Sequence, residues 1–147
     1  MKKILLLSFV GVTLGLVFAF IFNSPTKTSN RVVAQSNITC DLNLDSCSVQ
    51  KDGKTITFSF YPRPLSAMTP VTLKVEGLGG EYKNLNAQIY GINMDMGTIK
   101  AALEKRSNIY MGSIVLSSCV VAVMNYRLEL YEGDKPLGIY IDFDLRS

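Results

Sequence analysis

A chain of 147 residues, 48% apolar and 18% charged, supplies one ordinary domain with a single hydrophobic core and little more. Its formal charge of +3 belongs to the N-terminal stretch, because Lys2, Lys3, Lys27 and Arg31 precede the folding region and leave the remainder close to neutral. No later Lys/Arg cluster is interleaved with aromatics, so the electrostatic footprint of nucleic-acid binding is missing, and the absence of histidine removes both the usual general base and the usual nitrogen ligand for zinc.

Residues 4–22 (ILLLSFVGVTLGLVFAFIF) carry no charge and are long enough, as a helix, to cross most of a hydrocarbon core about 30 Å thick. Lys2 and Lys3 flank this segment on its N-terminal side, and positive flanks stay in the cytoplasm. Residues 1–22 therefore read as a single-pass anchor in the inner (cytoplasmic) membrane, with the C-terminal domain on the extracytoplasmic, periplasmic side. A cleaved signal is the rival reading, since Val32, Val33 and Ala34 offer small residues to a peptidase. Both readings export the domain. Residues 23–37 (NSPTKTSNRVVAQSN) are polar and without apolar period, which predicts a flexible linker. Residues 38–147 then form the domain.

Cys40 and Cys47 bracket the polar stretch DLNLDS, and in an oxidising compartment that spacing predicts a disulfide closing a small loop. Beyond it the pattern becomes one of strands. Ile56, Phe58 and Phe60 alternate with Thr55, Thr57 and Ser59, as a half-buried strand requires. Asp52-Gly53 is a hairpin-turn pair joining this strand to a partner at 47–49. Pro62-Arg63-Pro64 forbids continuation in a sheet. Residues 71–76, 85–90, 109–116, 124–131 and 137–144 each alternate, with Tyr126, Leu128, Leu130, Ile139, Ile141 and Phe143 on inward faces. Asp142 and Asp144 fall on the opposite face, where solvation is expected. Residues 98–105 suit either a helical turn or a strand; read as a strand, 98–104 makes a hairpin with 109–116 through 105–108. About seven or eight short strands at roughly 8–12-residue spacing predict an all-β fold, an immunoglobulin-like antiparallel β-sandwich following the one N-terminal helix.

That hairpin brings the loop 91–97 (GINMDMG) to the same end as Ser117, Ser118 and Cys119. Met94 and Met96 are one residue apart, so on an extended segment their thioethers share a side. Thioether and thiolate are soft ligands that favour Cu(I). Met94, Met96 and Cys119 thus form a candidate cuprous site, with Met124 as an additional donor and Met111 more suited to packing. The alternative is that these sulfurs fill gaps in the core, as methionine and buried cysteine often do.

GINMDMG, followed by Asn108-Ile109-Tyr110-Met111-Gly112 and Leu116-Ser117-Ser118-Cys119, resembles the Met-containing loop and Gly-Tyr-x-Gly type strand entry of small membrane-anchored envelope proteins of the YtkA, FixH and CopC-like group. Tyr126 stands where Trp is more usual, and the stretches around Cys40, Cys47 and Pro62-Arg63-Pro64 resemble the opening of an uncharacterised branch. The resemblance implies an immunoglobulin-like fold and a part in copper handling or in maturation of a respiratory membrane complex. CopC-like sites use His, which this chain lacks, so only a sulfur site for Cu(I) is compatible with it. No catalytic constellation stands out: Cys119 has no base, Cys40 and Cys47 are too far apart for a Cys-x-x-Cys motif, and no phosphate loop follows a strand. The chain reads as a non-enzymatic, membrane-tethered binding module for a soft metal, or alternatively as an envelope interaction or assembly protein of a membrane complex.

Overall fold

The computed structural model describes residues 40–117 and 122–146, all within the unit Val33–Ser147. The expected anchor 1–22, the linker 23–37 and Cys119 lie outside these residues. Among the described residues there are nine strands and no helix, hence no helix long and apolar enough to cross a membrane.

The strands are β1 (Cys47–Lys51), β2 (Lys54–Tyr61), β3 (Pro70–Glu76), β4 (Leu85–Gly91), β5 (Thr98–Ala102), β6 (Glu104–Arg106), β7 (Ile109–Val115), β8 (Val123–Glu132) and β9 (Lys135–Arg146). They form a sandwich of two sheets, β1-β2-β3-β7-β6 and β5-β4-β8-β9, in which every neighbouring pair is antiparallel. The alternations seen in the sequence are the inner faces. Ile56, Phe58 and Phe60 of β2, Val71, Leu73 and Val75 of β3, Leu85, Ala87 and Ile89 of β4, and Tyr126, Leu128 and Leu130 of β8 are buried. Period-2 burial of this kind fixes register, because a one-residue slip would turn the apolar set outward. The β1–β2 turn has both Asp52 (φ 51°) and Gly53 (φ 74°) in the left-handed region, the backbone of a type I′ hairpin.

Two expectations are corrected. Residues 98–105 are extended, but they do not make one hairpin with β7: β5 pairs with β4, and only the short β6 pairs with β7. The chain passes from one sheet to the other at Leu103, whose N–H donates to the Leu85 carbonyl at 2.9 Å. The crossing is possible because Gly112, on β7, has no side chain; a Cβ there would overlap the Ala102 carbonyl oxygen and lie 2.8 Å from Leu103 Cδ2. Asp142 and Asp144, expected to be solvated, are buried. Asp142 is covered by the Arg127 guanidinium, and Asp144 has Arg146 at 3.2 Å.

Cys40 and Cys47 form a disulfide with a Cα–Cα distance of 5.9 Å. Leu42, inside the closed loop, and Cys47 are both fully buried, so the bond pins an apolar plug at the start of β1. Replacing both cysteines by alanine is expected to cost about 2–3 kcal/mol from loop-closure entropy. The check is the thermal midpoint of the wild type with and without reductant, which should fall to that of the double variant.

Candidate functional site

Strand direction places several connections at one pole of the sandwich. There β1 begins, β2 ends, β3 begins, β4 ends, β7 ends and β8 begins. The Tyr126 hydroxyl of β8 donates to the Ser117 carbonyl at 2.8 Å, and Asn43 Nδ2 donates to the Asp144 carbonyl at 3.1 Å, so both sheets end together. This proximal pole also holds Cys40, the first described residue.

The β4–β5 loop, 92–97, is fastened to the start of β8. Asn93 Nδ2 donates to the Val123 carbonyl at 2.9 Å, its Oδ1 accepts from Asn125 N–H at 3.1 Å, and Ile92 N–H donates to the Asn125 carbonyl at 2.7 Å. Asp95 Oδ1 accepts from the Gly97 N–H at 3.0 Å, an Asx-type turn that returns the chain to β5 with Gly97 at φ 75°. Within this frame Met94 and Met96 are half-buried and pack against the core, while Asp95 between them is exposed. A Cβ at Gly91 would overlap the Met94 carbonyl oxygen and lie 3.0 Å from Met124 Cε. Glycine thus lets the loop close down over Met124, which is buried.

Four methionines, Met68, Met94, Met96 and Met124, belong to the proximal connections or strand starts. Met68, at φ 59° and largely exposed, is tied by its N–H to the Leu116 carbonyl at 2.8 Å. Met111 sits in β7, in register with Lys74 and Glu104 and away from this pole. Cys119 falls between Ser117 and Ala122, the described residues that bound the β7–β8 connection. The sequence reading missed Asn93, the residue that fixes the loop, and Met68. An Asn two residues past a strand end, whose side chain can bond nearby backbone groups, is a recognisable loop signal; nothing in the pattern marked Met68.

Among the described residues no group of three or more His, Cys, Asp and Glu side chains is placed to hold a metal. Asp41 is held below the usual carboxylate range by the Asn43 side-chain amide first and by the Asn43 backbone N–H second, which commits it to the disulfide loop. At the opposite, distal pole an open groove of about 620 Å³ runs past Tyr82, Leu85, Lys100, Leu103 and Lys105. Its Lys105 is already paired with Glu81 at 2.7 Å, and no sulfur lines it. Comparison of the chain with family models, curated proteins and solved structures gave no match.

Proposed function

We propose that the chain is a membrane-tethered, extracytoplasmic immunoglobulin-like module that holds Cu(I) through Met94, Met96 and Cys119, with Met124 as an additional donor. The observation that carries this reading is the Asn93 fastening, which sets the Met94/Met96 loop against the start of the strand that follows the Cys119 connection. The donor set is soft and lacks nitrogen ligands, so it fits Cu(I) and does not fit a His-based Cu(II) centre. The strand order supports the immunoglobulin-like assignment. The series β2-β3-β7-β6 faces β4-β8-β9 as strands A-B-E-D face C-F-G, and the Tyr126 hydroxyl bonded to Ser117 takes the place of the tyrosine corner at the start of the F-type strand.

The full-length chain in detergent should bind one Cu(I) against a competing chelator under anaerobic conditions. The double substitution Met94→Ala, Met96→Ala should remove that binding while leaving the strand circular dichroism unchanged. Binding that survives in the double variant counts against the site. A second reading, an assembly module whose sulfurs only pack, is favoured by the contact of Met94 and Met96 with the core; it predicts no Cu(I) binding and a loss of stability in the same variant.

A further inference from the structure

We propose that the proximal pole is a lipid-facing surface that rests in the headgroup layer of the bilayer. This rests on the tether reading of residues 1–22. Among the described residues the exposed large apolar side chains are Leu44 (78% exposed), Met68 (70%), Tyr61 (54%), Tyr140 (47%), Val115 (43%) and Val123 (38%). All but Tyr140 lie at the proximal pole, and Tyr140 lies on the four-stranded sheet beneath the Arg127 guanidinium at 4.3 Å. Scattered exposed apolar residues need no explanation, but their gathering at one end does.

The charges are arranged in the complementary way. The turns and strand ends of the distal pole carry Lys51, Lys54, Lys83, Lys105 and Lys135, whereas the described proximal connections, 41–46, 62–69, 92–97 and 116–117, carry no lysine. Arg63, the cation among them, is turned back onto the protein: its Nε donates to the Phe60 carbonyl and its Nη1 to the Leu44 carbonyl, both at 3.1 Å, and its guanidinium lies 5.2 Å from the Tyr61 ring centre. Ammonium groups are strongly hydrated and resist desolvation; here they are kept at the end that stays in water. The proximal connections carry carboxylates instead, with Asp45 and Asp95 exposed, and these side chains keep their water in the polar headgroup layer.

Chain length supplies the occupant. The described chain begins at Cys40, on the proximal pole, so residues 23–39 are all that separate this end from the hydrophobic segment 4–22. On the linker reading of residues 23–37, a segment of that length would have a root-mean-square span of roughly 20–25 Å, which puts the bilayer surface at high effective concentration, so that a modest apolar contact suffices to dock. The five side chains come from separate loops and strand ends rather than one flat face. A fluid interface accommodates such a rim, whereas a rigid partner surface would need matching contours. The exposed carboxylates of Asp45 and Asp95, with no lysine beside them in these connections, select a zwitterionic headgroup layer over anionic lipid.

The chain has no tryptophan, so single reporters can be placed in the full-length protein. Met68→Trp and Leu44→Trp at the pole, and Tyr140→Trp on the sheet, all replace exposed side chains. Each is reconstituted into phosphatidylcholine vesicles with and without brominated acyl chains. Quenching by bromine should be severalfold greater for both pole reporters than for Tyr140→Trp. Equal or negligible quenching at the pole, in protein retained after an alkaline wash, overturns the docking and leaves the tether standing. A pole reporter that shifts to the blue without bromine quenching marks cover by protein, including a second copy, and also overturns it. Release of the chain by the wash overturns the tether and the docking together.

Discussion

Phe143→Ala is expected to lower stability by about 4 kcal/mol, within the range for a fully buried Phe truncated in a core that cannot collapse. Phe143 has no exposed surface and is held between the sheets: its ring centre lies 5.6 Å from Phe60 of β2 and 5.5 Å from the stacked ring of Tyr126 of β8. Removing it leaves Phe60 without its partner across the sandwich and Tyr126 without the face against which its ring is oriented. Because the Tyr126 hydroxyl binds Ser117, the loss should also loosen the β7–β8 connection. Phe143→Leu, which restores most of the volume, should cost only about 1–1.5 kcal/mol. Tyr140→Ala, exposed on the same strand, should cost less than about 1 kcal/mol. Chemical unfolding of the three variants, with hydrogen exchange at the Met68 amide, whose N–H bonds the Leu116 carbonyl of that connection, reads both effects.

The inner faces were legible because burying one side of a strand imprints period 2 on the sequence, and Ile56-Phe58-Phe60 or Ile139-Ile141-Phe143 can satisfy that period in only one phase. The disulfide was legible from the Cys40–Cys47 spacing once an oxidising compartment was expected. The sheet switch at Leu103 was not, since Ala101 and Leu103 keep the same alternation across it and only the glycine at 112, on a different strand, records the crossing. The exchange of partners that follows is a property of three segments at once. At the candidate site the pair Met94 and Met96 was visible as a motif, but what holds their loop in place is Asn93 against the backbone of Val123 and Asn125. Backbone acceptors are present at every residue, so a bond to them leaves no mark in the sequence of the partner strand.

The buried state of Asp142 was hidden for a related reason, and it yields the second large effect. Counting register from Glu132↔Lys135 would put Tyr140 opposite Arg127; the irregularity between Glu129 and Tyr131 moves Asp142 there instead. The two side chains meet as a fork, Nε to Oδ1 at 2.7 Å and Nη2 to Oδ2 at 2.8 Å, with the Asp142 side chain 2% exposed. The carboxylate bond is the main cause that pushes the Arg127 pKa further up, so the guanidinium stays charged at every working pH. Asp142→Ala therefore strands a cation on the face of the sheet with the Tyr140 ring and Tyr90 beside it but no carboxylate partner, and is expected to cost about 3 kcal/mol. Replacing both partners, Arg127→Met with Asp142→Leu, removes the charges together with their desolvation cost and should come out near neutral. A double-mutant cycle by urea unfolding distinguishes the outcomes: a large favourable coupling with a nearly wild-type double variant is expected, whereas two small and additive losses would mean that the pair is screened like an ordinary surface ion pair. The coupling should change little between low and high salt, because a pair so enclosed is beyond the reach of the ion atmosphere.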